Sequence, residues 1–382
     1  MGRVMFPTTR KAAGLAAVAV LAVGLVAAGC GSSSNSNSSS NSGGGSSTAN
    51  NKGGTIALLL PETKTTRYET QDKPLFEAKV KALCPNCKIL YQNANQDPAQ
   101  QQQQAEAALT QGAKVLVLDA VDAASAGAIV QKAKAQNVPV ISYDRLVTNA
   151  PVSYYISFDN VRVGQLQGQA LASKLKQDGK ATGPIVMING APTDNNAKLF
   201  KQGATGALNS AGVKVLKSYD TPDWSPDKAQ NEMQQAITAV GDNGFNGVYA
   251  ANDGTAGGAI AAMKSAGVNA TTRPTTGQDA ELAGIQRILA GTQYMTVYKA
   301  IKPEAEGAAT MAVDLVNGRK PAASTVKDKV DNGQLKVPSL LLKPVAVTKD
   351  NINDTVVKDG FWTTKQICTS AYASACKAAG LT

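Results

Sequence analysis

The chain has 382 residues, with 38 Lys+Arg against 28 Asp+Glu (a formal net charge of +10), five Cys and no His. At 43% hydrophobic residues it can bury real cores, and its length suits two or more domains. The lack of His excludes Ser-His-Asp and Cys-His triads, His-ligated zinc or haem, and every imidazole base, which leaves carboxylate or lysine catalysis, or binding alone.

The chain opens on a targeting pattern. Arg3, Arg10 and Lys11 precede an uninterrupted apolar run, Ala12 to Ala28, of about 17 residues. That is short for a membrane-spanning helix and suits a signal h-region. Ala27-Ala28-Gly29-Cys30 resembles a bacterial lipobox, so residues 1–29 are expected to be a lipoprotein signal peptide and Cys30 the lipidated N-terminus. An ordinary secretory signal with a chance Cys is the alternative. Removing 1–29 lowers the net charge to +7. The lysines are scattered singly, without a basic run, so the charge does not point to nucleic acid. Residues 30–54, rich in Ser, Asn and Gly, read as a flexible tether reaching roughly 25–30 Å. A lipid on Cys30 would hold the body at the outer face of the cytoplasmic membrane.

From Thr55 short apolar runs alternate with amphipathic stretches. Strands are expected at 55–61, 88–94, 114–120 and 139–144, with helices near 72–83, 98–111 and 123–136. The scheme then restarts, with strands at 183–190, 213–220, 247–253 and 273–279 and helices near 194–210, 226–240, 255–266 and 280–290. Largely apolar strands separated by helices belong in parallel sheets covered on both faces. Two such series predict an α/β chain of two doubly wound lobes.

Four cysteines remain beyond Cys30. Cys84-Pro85-Asn86-Cys87 has the spacing of a redox pair or half a zinc site. Two local structural bridges, Cys84–Cys87 and Cys368–Cys376, are the favoured reading, since no His can complete a mixed zinc site and an exported protein retains disulfides. Sequence leaves the connectivity open.

Several strands end in polar residues: Asp144-Arg145, Asn189-Gly190, Asn252-Asp253-Gly254 and Gln278-Asp279. Ligands of open α/β sheets sit outside the carboxyl ends of the strands, so two facing sheets would aim these side chains into one cleft. Each can also serve simply as a helix N-cap. A set of Asp, Asn, Arg and Lys, with Trp224 and Tyr68 as platforms, suits a neutral polyhydroxylated ligand, because every hydroxyl both donates and accepts. No Gly-rich loop followed by Lys and Ser/Thr is present for a phosphate.

The runs Tyr143-Asp144-Arg145, Tyr155-Ile156-Ser157-Phe158-Asp159-Asn160, Asp194-Asn195-Asn196-Ala197-Lys198-Leu199-Phe200, Asn252 to Ile260, Gly277-Gln278-Asp279-Ala280, Met295 to Lys299 and Asn351 to Phe361 resemble the periplasmic D-xylose-binding proteins of ABC transporters. Together they span nearly all of 54–361, in order. The resemblance implies the type I, ribose-binding-like fold, whose two lobes are joined by three hinge crossings and close on one sugar. The lobes would be 55–158 plus 297–324, and 159–296 plus 325–382 with its disulfide-closed tail.

It further implies that Arg67, Asp144 and Arg145 line the cleft from the first lobe and Asp194, Asn196, Asn252 and Asp279 from the second, with Lys299 at a crossing. Trp224 matches the family's stacking tryptophan. Tyr68 stands where the family often has a second Trp, and Lys64 where it often has Arg. No cofactor, metal or catalytic residue is implied. The expected partners are a monosaccharide, most plausibly a pentose such as xylose, and an ABC permease, with the protein a monomer. Other readings are a sugar sensor docking on a membrane receptor, a glycosidase using Asp144 and Asp279, and a LacI-type regulator. The last would begin with a helix-turn-helix rather than an export signal.

Overall fold

A computed structural model describes residues 52–381; the signal, the Cys30 lipidation site and nearly all of the tether lie outside them. In the first lobe, β1 (Thr55–Leu60), β2 (Lys88–Asn93), β3 (Ala113–Leu118), β4 (Val140–Tyr143) and β5 (Tyr154–Phe158) run parallel. Most of β1, β3 and β4 is buried, as expected of central strands covered on both sides. The helices α1 (Lys73–Leu83), α2 (Pro98–Thr110) and α3 (Gly127–Ala135) lie between the first four strands in sequence. Pro98 at the first turn and Asp97, which accepts from the amides of Ala99 and Gln100, start α2. The Cys84–Cys87 bridge closes the α1–β2 turn, with Cys84 buried in the core cluster on that side of the sheet.

The chain crosses at Asp159, which caps α4 (Asn160–Gln177). The second lobe then has β6 (Ile185–Asn189), α5 (Asn195–Ser210), β7 (Val215–Asp220), α6 (Pro226–Val240), β8 (Gly247–Ala250), α7 (Asp253–Ser265), α8 (Leu282–Leu289) and β9 (Thr296–Tyr298). Its sheet has the order β7-β6-β8, all parallel. The helices α4 and α5 touch through glycines. A Cβ on Gly164 would lie 2.0 Å from the Phe200 carbonyl oxygen, and one on Gly203 would lie 2.1 Å from that of Val161.

Beyond Lys299 the chain returns to the first lobe as α9 (Ile301–Val316), β10 (Asp328–Asp331) and β11 (Lys336–Leu342). The order of the seven-stranded sheet is β10-β11-β5-β4-β3-β1-β2, with β11 parallel to β5 and β10 antiparallel at the edge. A third crossing leads to β12 (Val345–Val347), which pairs antiparallel with β9, and then to the short helices α10 (Thr364–Ile367) and α11 (Ala373–Ala378) around the Cys368–Cys376 bridge.

Two expectations need correction. Residues 325–342 belong to the first lobe, because β11 takes the free edge of β5, while Thr296–Tyr298 stays with the second lobe through β12. Pairing between strands so far apart in sequence leaves no local trace. The expected strand at 273–279 makes a single bridge, Thr275 to Val248; the segment is otherwise held from outside, by Thr276 Oγ1 bonding to Ala250 and by the Val297 amide donating to the Gly277 carbonyl.

Candidate functional site

The strand ends and crossings meet in a small cavity between the lobes. Thr65, Arg67, Tyr68, Asp144 and Arg145 line it from the first lobe. Asp194, Asn196, Phe200, Trp224, Asn252, Gln278 and Asp279 line it from the second, and Lys299 from a crossing. Ten of the eleven residues expected from sequence are therefore brought together. Lys64 is not: it is exposed on the turn after β1, where its backbone amide donates to the Glu62 carboxylate (2.5 Å), and it is not among the residues lining the cavity. Thr65 and Phe200 were not singled out, although Phe200 lies inside a run that carries the resemblance, and Gln278 was expected only as one of the polar strand ends.

Local structure aims each group. Asp194 and Asn252 are helix N-caps as well as cavity residues. Asp194 Oδ1 accepts from the Asn196 amide (2.8 Å), leaving Oδ2 for Trp224 Nε1 (3.2 Å) and Arg145 Nε (3.1 Å). Asn252 Oδ1 caps α7 through the Thr255 amide. The Trp224 ring lies against Gly190, where any Cβ would fall 2.0 Å from it, and meets Phe200 edge-on.

Asp144, Asp223, Trp224, Asp279 and Ala280 all have positive φ. Such backbone costs about 1–3 kcal/mol at a non-glycine residue and persists only where the surroundings over-determine it.

Charges dominate the walls. Arg67 makes a two-bond fork to Asp72 (2.9 and 2.6 Å), reaches Glu304 (2.7 Å), and has Asp144 and Asp279 at 3.7 and 3.9 Å. Lys299 Nζ sits 3.1 Å from Asp279 and 3.7 Å from Asp144. Tyr68 donates to Asp144 Oδ2 (2.9 Å), and its ring is flanked by the Arg67 and Arg145 guanidinium groups. Although burial opposes its charge, Lys299, Arg67, Arg145 and the Tyr68 hydroxyl hold the Asp144 carboxyl down to about 2. The lobes are shut: Arg145 meets Asp194, Asn196 Nδ2 donates to the Asp144 carbonyl (2.9 Å), and the Ala123 amide donates to Thr193 (3.0 Å).

Three cations face three carboxylates across the cavity, so no uncompensated charge is offered to an ionic ligand. Arg67 Nη1, Arg145 Nε, Gln278 Oε1 and Asp279 Oδ1 are buried without a hydrogen-bond partner. Of these, Arg145 Nε and Asp279 Oδ1 have ion-pair contacts at 3.1 Å, to Asp194 and to Lys299.

Behind Asp279 lies a buried acidic pair. Burial pushes Asp253 up to about 7 against the pull of Arg287 and Gln293. Burial, then Asp253 and Asp279, push Glu281 up to about 8, while Arg287 and the first-lobe Thr66 amide pull the other way. Both acids hold protons in the native state that the unfolded chain has released by pH 5–6. The folded protein therefore loses stability as pH rises from about 5 towards 8. Asp144 acts oppositely, its contribution disappearing as pH falls from about 4 towards 2. Denaturant titrations across pH 5–8 should show this decline, and Glu281→Gln should flatten it. An unchanged slope in that variant would mean Glu281 is not responsible.

Comparison with known proteins places this geometry. The periplasmic binding protein domain matches residues 56–320. The chain belongs to that family. It is 39% identical over 317 residues to the D-xylose-binding periplasmic protein of Escherichia coli, a match covering 82% of this chain and 92% of the relative. It is 32% identical over 330 residues to a multiple sugar-binding periplasmic receptor of Rhizobium radiobacter, again covering 82% and 92%. A solved ABC-transporter solute-binding protein from Clostridium phytofermentans with bound β-D-glucose superposes with TM-score 0.73 at 29% identity, over 82% of this chain and 99% of that one. The protein is therefore a periplasmic binding protein built on the type I fold, a binding protein rather than an enzyme.

Proposed function

We propose that the protein is a lipid-anchored extracytoplasmic solute-binding protein that captures D-xylose between its lobes and delivers it to an ABC permease. The observation that carries this reading is the cavity lined by three cations and three carboxylates, with donors on Arg67 and Arg145 and acceptors on Gln278 and Asp279 that make no hydrogen bond within the protein. A sugar hydroxyl donates to one and accepts from the other, and Trp224 supplies an apolar face for the ring. A pentose is favoured by the 37–39% identity to two D-xylose-binding proteins. Anchoring rests on the Arg3 to Cys30 pattern.

Mechanistically, sugar held by one lobe gains the partners of the other only on closure. The closed state is thus favoured by the ligand's differential affinity and presents both lobe surfaces to the permease. Calorimetry with D-xylose, D-ribose, L-arabinose, D-glucose and D-galactose tests the reading. D-xylose should bind one-to-one and tightest, because a misplaced hydroxyl strands a buried partner. Tighter D-glucose binding would reassign the ligand to a hexose, and no heat from any monosaccharide at millimolar concentration would sink the proposal. A sensory role, suggested by the relative that is named a receptor, would show as a membrane receptor captured by the sugar-bound form alone.

A further inference from the structure

The C-terminal tail lies beyond the matched domain, yet it reaches the back of the binding site. Asp279 and Ala280 have φ of 86° and 48°, so the carboxylate facing the cavity stands on two consecutive left-handed residues. Second-lobe groups clamp that turn. The Asp279 amide donates to the Val297 carbonyl (2.9 Å), the Ala280 amide to Thr296 Oγ1 (3.2 Å) and the Glu281 amide to Asp253 Oδ2 (2.8 Å). The Ala280 carbonyl is held by the tail, because Trp362 Nε1 donates to it at 2.8 Å.

The indole is itself fixed. Phe361 packs edge-on between Trp362 and Tyr298, the residue before Lys299. The Phe361 carbonyl accepts from Gln71 of the first lobe (3.5 Å), next to Asp72, the partner of Arg67. Further along, Ile367, Cys376 and Leu381 are buried against Ile285, Ile288 and Leu289 of α8, and Gln286 Nε2 donates to the Ile367 carbonyl (3.2 Å). The Cys368–Cys376 bridge closes this loop.

We infer that Trp362 is a positioning residue for sugar binding, in which its bond to the Ala280 carbonyl holds the strained turn that aims Asp279 into the cleft. The inference rests on the reading of the cavity as the sugar site. Trp362→Phe keeps an aromatic ring against Phe361 and removes the N–H. The full-length variant should melt like the wild type, while the amides of Asp279, Ala280 and Glu281 exchange at least about tenfold faster and those of β6 and β8 are unchanged. Its dissociation constant for D-xylose, or for D-glucose if that is the sugar the wild type binds, should rise roughly three- to tenfold.

Thr296→Val, which frees the Ala280 amide from the opposite side, should give the same local signature. Wild-type affinity in Trp362→Phe overturns the inference whatever the exchange rates. So does a general loss of protection throughout the second lobe, which would make Trp362 a stability residue. If the wild type binds neither sugar, the reading of the cavity fails, and local exchange at Asp279 to Glu281 alone decides whether Trp362 clamps the turn.

Discussion

Asp279→Asn should bind sugar too weakly to measure at concentrations that saturate the wild type, while the sugar-free protein melts close to normally. Asp279 Oδ1 faces the cavity without a hydrogen-bond partner and lies 3.1 Å from Lys299 Nζ. Removing the charge of one member of a buried ion pair costs about 2–5 kcal/mol of binding, or roughly 30- to 5,000-fold in affinity. Asn is the right replacement because the backbone at 279 has φ 86°, a region that Asn enters more readily than Ala. In the open, sugar-free protein water can solvate Lys299, so stability changes little. Calorimetric titration alongside a thermal melt checks both halves. Retained affinity would remove Asp279 from the site, and a large loss of sugar-free stability would make it structural.

Arg67→Met should instead lower both. Its guanidinium is buried and bonds Asp72 and Glu304 at once, with the Tyr143 hydroxyl also donating to Asp72. Without Arg67 these carboxylates stay buried and uncompensated, and breaking such a pair by removing one partner costs about 3–5 kcal/mol. Burial already pushes Glu304 well above the usual carboxylate range, so Glu304 protonates first in the variant. The companion change Glu304→Gln should therefore recover part of the loss. Urea denaturation of the single and double variants measures it, and a single-variant loss below about 1 kcal/mol would show that the cluster does not depend on Arg67.

Most of the first lobe was legible because β1, β3 and β4 are short, nearly continuous apolar runs, a pattern made by strands covered on both faces. The α4 helix gave no such signal. Its buried face includes Asn160, Gly164, Gln167 and Gly168, where close helix contact and polar satisfaction replace apolar bulk. The bonds of Gln167 to the carbonyls of Ala250, Ala251 and Gly277 exist only once three distant segments have met.

Residue type and order alone determined the chemistry of the cleft. The absence of His, the Asp, Asn and Arg at strand ends, and the motif runs specified a binding protein for a neutral hydroxylated ligand. Tertiary structure decided which of those groups share a space, and which are already satisfied. It removed Lys64, added Thr65 and Phe200, returned β10 and β11 to the first lobe, and set Trp362 behind Asp279. The physical reason is range. Apolar periodicity and helix capping act over a few residues and can be read along the chain. The pairing of β11 with β5, the approach of Asp144, Asp279 and Glu304 to Arg67 and the tail's bond to Ala280 join residues from about 80 to more than 200 positions apart. Such contacts form only where the folded backbone brings them within a few ångströms.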